Sequence, residues 1–446
     1  MAKAKKISTL TPEERLQQAL VPDWEQPYKV PENWVWVWLT EGFAECLDQY
    51  RKPINATERA SRTGNVPYYG ATGQVGWIDD YLTNEPLILI GEDGAPFFDF
   101  IKNKAYLIEG KAWVNNHAHI LKSFYGEKSN LFLMHYLNAF NYKGYVNGTT
   151  RLKLTQASLK TLPIPLPPLA EQHRIVSRIE SLFEKLDQAR ELIQTALDSF
   201  ETRKAAILHK AFTGELTAKW RTENGVGIES WGEKTINDIC ISLQYGTSKK
   251  SVNSGSVVVI RMGNLQNGEI IWDDLAYSND MDDIKKYLLH PDDVLFNRTN
   301  SPALVGKTSI YRGDYPAIFA GYLIRLNYKK EIVNGIFLNY ALNSTNAKDY
   351  CSRVKTDGVN QSNINAKKIG AYSFHLPTLR EQQEIVRILD SLLEKEQRAK
   401  STLEPLLNQI DLMKKSILAR AFRGKLGTND PTEPNAHELL KEILAD

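Results

Sequence analysis

The sequence predicts an α+β chain in which two globular domains of mixed helix and strand are separated by two long helices. Those helices are expected to pair antiparallel as a coiled coil about an internal pseudo-two-fold axis. Three observations carry the expectation. The chain contains a long internal repeat, the repeat holds an apolar register of alternating threes and fours, and a domain-sized stretch of dissimilar sequence precedes each copy.

The repeat comes first, because missing one misreads the whole architecture. Leu166–Leu216 aligns with Leu376–Leu426 without a gap, and roughly two in five positions are identical. The copies open on LPPLAEQHRIV from Leu166 and LPTLREQQEIV from Leu376. They close on AFTGEL from Ala211 and AFRGKL from Ala421. Between these phrases Ile175, Ile179, Leu182, Leu186, Ala189, Ile193, Ala196, Phe200, Arg203 and Ile207 keep coiled-coil spacing. The second copy places Ile385, Leu389, Leu392, Glu396, Ala399, Leu403, Leu406, Ile410, Met413 and Ile417 at the same steps. A helix from Glu171 to Phe212 would be roughly 60 Å long. Too narrow to bury its own seam, it is expected to pack on the other copy. Two features cut against the register: Glu396 is charged on the seam, and Pro405 should remove a hydrogen bond and kink the second helix. Gly214 and Gly424 read as helix stops.

In chain order, residues 1–30 read as a tail with a short helix, TPEERLQQAL from Thr11. Residues 31–165 form a first domain with PLILI from Pro86 as a strand and LFLMHYLNAF from Leu131 as a helix. Residues 166–218 are the first spacer helix. Residues 219–375 hold a linker and a second domain, with VVVI from Val257 and AIFAGYLIRL from Ala317 as strands and GIFLNYALNS from Gly335 as a helix. Residues 376–426 are the second spacer helix, and residues 427–446 a tail with a short helix, EPNAHELLKEILA from Glu433. The tails are candidates for partner docking. The two domains share a frame and differ in their loops, YYGATGQVGWIDDY from Tyr68 against VIRMGNLQNGEIIW from Val259. A fixed frame with variable loops suits recognition of two different targets.

Composition narrows the class. The first residues are charged and lack an apolar core, which argues against a secretion signal, and no apolar run is long enough to span a membrane. Cys46, Cys240 and Cys351 are far apart with no C-x-x-C pair, so a reducing cytoplasm is expected and a zinc site is not. A net charge of +2 is too small for a non-specific nucleic-acid coat, though it permits local basic patches.

Sequences that could carry chemistry are incomplete. Asn65-Val66-Pro67-Tyr68 lacks the first proline of an amino-methyltransferase segment, and no glycine-rich cofactor loop precedes it. Gly91-Glu92-Asp93-Gly94 is glycine-rich but acidic, so a turn is the simpler reading. Asp292 and Asp293 with Lys307 lack the further acid of a magnesium nuclease and read as a turn into a strand. His117 and His119 lie in a polar cluster with Asn115 and Asn116 and have no third metal ligand in view; the cluster reads either as a DNA-facing loop or as a buried network.

On its repeated LPPLAEQ-type phrases, their AF-x-G closures, PYYGATGQVGWIDDYL from Pro67 and HPDDVLFNRTNSPALVGKTSIY from His290, the chain resembles the specificity (S) subunit of type I restriction–modification systems. The resemblance covers nearly the whole chain. It implies a non-catalytic member of a DNA methylation and phage-defence complex. Each target recognition domain would read one half of a split double-stranded DNA target in the major groove, and the spacer helices would set the gap. Two methyltransferase (M) subunits and restriction (R) subunits would be its partners. S-adenosylmethionine, ATP and Mg²⁺ would belong to those partners, with no cofactor, metal or catalytic residue in this chain.

Base edges are read by Arg, Lys, Asn, Gln, Ser and Thr on loops. In the first domain the candidates are Arg59, Arg62, Tyr68, Tyr69, Thr72, Gln74, Asn115, Asn116 and His117. In the second they are Lys249, Lys250, Arg261, Asn264, Gln266, Arg298, Thr299, Asn300, Ser301, Asn360, Gln361 and Ser362. Each is also readable as an ordinary surface or capping residue. The alternatives for the whole chain are a coiled-coil adaptor that binds protein without sequence-specific DNA binding, and a self-sufficient DNA enzyme.

Overall fold

The second copy of the repeat forms one helix, Leu379–Ala421, which runs through Pro405. The first copy forms two, Leu169–Asp198 and Phe200–Phe212. Pro405, where a kink is expected, does not end its helix, and the break between helices falls instead at Ser199. Its hydroxyl donates to the Ala196 carbonyl at 2.6 Å, the acceptor that the Phe200 amide would otherwise use. Gly214 and Gly424 follow the helices at φ +80° and +66°, a region that costs glycine least.

The computed structural model describes residues 11–445, so the first ten residues of the expected tail and Asp446 lie outside it. Two compact units divide the chain, Met1–Ile193 with Pro405–Asp446, and Gln194–Glu404. Both mix sheet and helix.

The first unit holds two four-stranded sheets. One orders Ala44–Cys46, Ala118–Ser123, Leu87–Gly91 and Ala105–Ile108, and the other Gly73–Ile78, Val66–Gly70, Lys111–Val114 and Thr83–Asn84. The strand Leu87–Gly91 is buried throughout, as its continuous apolar sequence requires. The helix Glu127–Ala139 packs Phe132, Leu133, Tyr136 and Leu137 into the main core. A short antiparallel pair joins Val35–Trp38 to Pro163–Leu166. Both tails fold onto this unit: Pro12–Ala19 opens with a capping box on Thr11, and Arg15 donates to the Leu444 carbonyl of the helix Ala436–Ala445 at 3.2 Å. Within the unit, Lys414 pairs with Asp187 and Asp411 with Arg190, so the two long helical runs lie antiparallel there.

The second unit holds a six-stranded sheet, ordered Cys240–Tyr245, Leu323–Tyr328, Val294–Asn297, Thr308–Ile310, Glu269–Ile270 and Leu265–Gln266. A three-stranded sheet sets Val257–Ile260 between Ala276–Ser278 and Ala317–Phe319. The helix Gly335–Leu342 covers the larger sheet, and Gly232–Thr235 pairs with Ser373–Leu376. Here Glu396 meets Arg203 at 2.8 Å. The two charged seam positions satisfy one another, which accounts for the apparent flaw in the register. Met413, in the first unit, and Ala399, in the second, face solvent instead of a seam.

The repeated Glu-Gln pair has the same physical role in each unit. Gln172 donates to the Pro167 carbonyl at 3.0 Å and Gln382 to the Pro377 carbonyl at 2.9 Å, fastening the turn that starts each helix. Glu171 and Glu381 are fully buried. Glu171 accepts from Thr428 Oγ1 at 2.7 Å, and Glu381 from Thr217 Oγ1 at 2.7 Å. In each unit the first turn of one copy is thus tied to the threonine just beyond the closing phrase of the other.

Candidate nucleic-acid interface

In the second unit the loop Thr247–Ser251, the end of the strand Val257–Ile260, the turn Ile271–Asp274 and Ala320–Tyr322 enclose an open cleft of about 1110 Å³. Lys249, Lys250, Arg261, Gln266 and Arg298 line it. They differ in what they have left to offer. Lys249 pairs with Asp280 at 2.6 Å, and that bond pushes its ammonium pKa up. Arg261 is held by Asp274 at 2.9 Å. Gln266 accepts from Lys307 at 2.9 Å and donates to the Gly263 carbonyl at 3.0 Å. Lys250 makes no hydrogen bond or ion pair among the described residues. Arg298 donates through Nη1 to the Gly321 carbonyl at 3.2 Å and lies 5.1 Å over the Tyr245 ring; its Nε is buried without a partner, and its Nη2 makes no hydrogen bond or ion pair among the described residues. The cleft therefore presents two cations with donors to spare.

Beside it, Thr299–Asn300, Ser362–Asn363 and Thr356–Asp357 form a small sheet, with Asn363 donating to Thr299 Oγ1 at 2.8 Å. This brings Arg298–Ser301 next to the hairpin tip, where Asn360 and Gln361 are exposed. Ser362 is buried and bonded to Asp357.

In the first unit Val66–Gly70 runs parallel to Lys111–Val114, so both strands end on the same side. Their exits place Thr72 and Gln74 of a hairpin and Asn115–His117 of a loop together. Glu92 joins them, its backbone N–H donating to the His117 carbonyl at 2.8 Å. Asp93 there accepts from His117 Nδ1 at 2.8 Å and from Arg151 at 2.7 Å. Arg59 lies 5.2 Å over Tyr68, and Arg62 lies 4.6 Å over Trp113 while bonding Asp79 at 2.6 Å.

His119 points elsewhere. It is fully buried, with Nδ1 at 2.7 Å from Asp48 and Nε2 at 2.8 Å from the Leu154 carbonyl. Burial pushes the Asp48 carboxyl up, but bonds from His119, the Ile120 amide and Arg51 hold it below the ordinary range. Cys46, Asp48 and His119 lie close enough to invite a metal. The trio does not fit one: both ring nitrogens are engaged, Arg51 sits 2.9 Å from Asp48, and burial keeps the Cys46 thiol protonated by pushing its pKa up. It is a structural clamp beneath the loops.

Residues 31–196 and 228–417 both match the profile of the type I restriction modification DNA specificity domain. The chain belongs to this family. Its two specificity-domain copies are those that precede and include the two halves of the repeat. The type I restriction enzyme StySPI specificity subunit of Salmonella potsdam is 26% identical over 304 residues, which is 66% of this chain and 65% of that relative. The fold resembles the HsdS subunit from Thermoanaerobacter tengcongensis, with a TM-score of 0.58 and 19% identity over 90% of this chain and all of that one. It also resembles a chain from the "structural basis underlying complex assembly and conformational transition of the type I R-M system", with a TM-score of 0.65 and 19% identity over the same shares.

Four candidate readers of these specificity-domain copies are buried and serve the protein itself. Tyr68 is core beneath Arg59. Asn115 is buried and accepts from the His117 amide at 2.8 Å. Asn264 accepts from the Arg261 amide at 2.9 Å and donates to the Ile271 and Asp273 carbonyls, which engages its oxygen and both of its N–H groups. Ser362 is the fourth. Two residues outside the sequence candidates, Arg151 and Tyr245, also stand at these surfaces. Arg151 carried a signal in its basic, glycine-punctuated segment Gly148–Lys153. Tyr245 carried none, since its role comes from Arg298 lying over its ring.

Proposed function

We propose that this chain is the DNA-reading subunit of a type I restriction–modification complex. Each specificity-domain copy reads one half of a bipartite double-stranded target, and the paired helices act as antiparallel coiled-coil spacers about a pseudo-two-fold axis. The observation that carries the reading is the cleft of the second unit, where Lys250 and the Nη2 group of Arg298 hold unused donors beside a sheet frame. In the first unit the corresponding elements are Thr72, Gln74, Asn116, His117 and Arg151 around the hairpin and loop exits. Half-sites read from one face lie about 34 Å apart, or one helical turn. A helix of 43 residues is long enough to span that interval.

The chain on this reading supplies the address and no chemistry. Methyltransferase subunits carrying S-adenosylmethionine bind to it and methylate adenine, and restriction subunits add ATP- and Mg²⁺-dependent cleavage. The complex works in the prokaryotic cytoplasm; no described helix is long and apolar enough to cross a membrane. Mapping methylated adenines in cells that express the chain with its methyltransferase tests the reading. A single two-part motif with a fixed gap is expected. Methylation without a motif, or methylation by this chain alone, refutes it.

A further inference from the structure

The helix Glu127–Ala139 of the first unit and the helix Gly335–Leu342 of the second share a sequence frame, Phe132 with Phe337, Leu133 with Leu338, Leu137 with Leu342 and Asn138 with Asn343. The contacts agree with that frame. Phe132 packs 5.3 Å from Phe422, and Phe337 packs 5.4 Å from Phe212, the matching residue of the other repeat. Asn138 donates to the Ala105 carbonyl at 2.8 Å and Asn343 to the Thr308 carbonyl at 2.9 Å, each tying its helix to a strand.

One position breaks the frame. Tyr136 is buried in the first unit, with its ring 5.1 Å from Phe422 and its hydroxyl donating to the Pro163 carbonyl at 2.7 Å. The second unit has Ala341 there. Phe212 and Ser373, the counterparts of Phe422 and Pro163, instead line a pocket of about 260 Å³ whose other walls include Tyr350, Tyr372 and Phe374. The adjoining strands differ in the same way. Pro163–Leu166 is buried along its length, whereas in Ser373–Leu376 only Leu376 is buried. In the first unit Val21 bonds the Trp36 carbonyl at 2.9 Å and Tyr28 packs 5.0 Å from Trp36, so chain covers that sheet. Among the described residues the matching strand Gly232–Thr235 pairs with Ser373–Leu376 alone.

We propose that this pocket is a docking site for an aromatic side chain next to a carboxylate on the methyltransferase subunit. The partner rests on the function proposed above. The ring is indicated by the aromatic walls and by the tyrosine that fills the same place in the first unit. The carboxylate is indicated by charge: Arg353 and His375 belong to the lining, no acidic residue does, and Arg353 makes no ion pair among the described residues.

Titration of the purified methyltransferase subunit into the full chain by calorimetry tests it. Ala341→Tyr puts into the second unit the ring that the first unit already holds. At least one binding step is expected to weaken ten-fold or more while the melting temperature stays level or rises. Arg353→Glu is expected to give the same loss with the pocket's shape intact, and it decides the matter alone if Ala341→Tyr does not fold. Wild-type binding with both variants equal to it overturns the pocket only. Wild-type chain that does not bind the methyltransferase overturns the partner reading with it, and the adenine map then shows whether DNA reading fails too.

Discussion

Replacing Glu381 by alanine is expected to loosen the second unit by about 3–5 kcal/mol, the range for breaking a buried charge pair. The carboxylate accepts from Thr217 Oγ1 at 2.7 Å, Arg221 at 2.7 Å and Trp231 Nε1 at 2.9 Å. Removing it leaves a buried guanidinium with only the Gly214 carbonyl and the Thr217 hydroxyl as acceptors. The charge is then uncompensated, and an indole N–H loses its partner as well. Exchange of both charged residues for apolar ones, Glu381→Leu with Arg221→Met, removes the attraction together with the desolvation and should cost far less than the single change. Hydrogen exchange of peptides across Thr217–Trp231 and Leu379–Leu389 reads the local opening free energy, which suits a chain of two units better than one global unfolding curve. A loss under about 1 kcal/mol for Glu381→Ala, or a double variant as unstable as the single, refutes the view that this carboxylate closes the unit.

His135 is buried with Nε2 unpartnered, and burial drives its pKa down to about 4. The unfolded chain takes up that proton near pH 6.5 and the folded one does not, so stability is present above that pH and lost as pH falls toward 4. His135→Leu should spare the first unit on the order of 3 kcal/mol of acid loss, and parallel pH–stability curves for the two proteins would count against it. Burial pushes the Glu171 carboxyl up, so its contribution is whole below the unfolded value and declines as pH rises through the folded one. Thermal melts should therefore show Glu171→Gln gaining on the wild type between acid and neutral pH; a gap that widens the other way contradicts the assignment. Arg298→Ala with Lys250→Ala should degrade one half-site of the methylation motif and leave the other intact. Insertions or deletions within Ile179–Phe200 should change the gap between half-sites and not the half-sites, and a map showing the reverse would break the spacer reading.

The sequence made the frame legible because the frame is local and repeated. Helix, turn proline and stop glycine each announce themselves within a few residues, and the two copies corroborate one another. Side-chain roles were less legible, for a physical reason. Polar residues on glycine-rich turns are chosen as often to cap the backbone as to meet a ligand, and sequence does not separate the two. Asn264 and Asn115 are the clearest cases, since both face inward to hold their own loops. Arg298 stands on a comparable polar turn, yet its Nη2 keeps a free donor because its neighbour is the Tyr245 ring and not a carboxylate. Likewise, Glu396 reads in the sequence as a defect of the seam, and in the fold it faces Arg203, also on the seam.

The two locks explain why the repeated phrases stand at the ends of the repeat while its middle drifts. In the first unit Glu171 holds Thr428, and Arg174 reaches both Glu171 and Glu433 at 2.8 and 2.7 Å. In the second, Glu381 holds Thr217, Arg221 and Trp231. Each unit is closed by the opening of one copy and the residues that follow the other, so neither copy can complete a unit with its own two ends. The residues between need only keep an apolar stripe and a few matched charges, such as Asp187 with Lys414. A sequence built this way tolerates Pro405 and a break at Ser199, because neither touches a lock. On the proposed function it would also separate two properties that a single-domain reader must change together: loop side chains would alter what is read, and helix length would alter where the second reading falls.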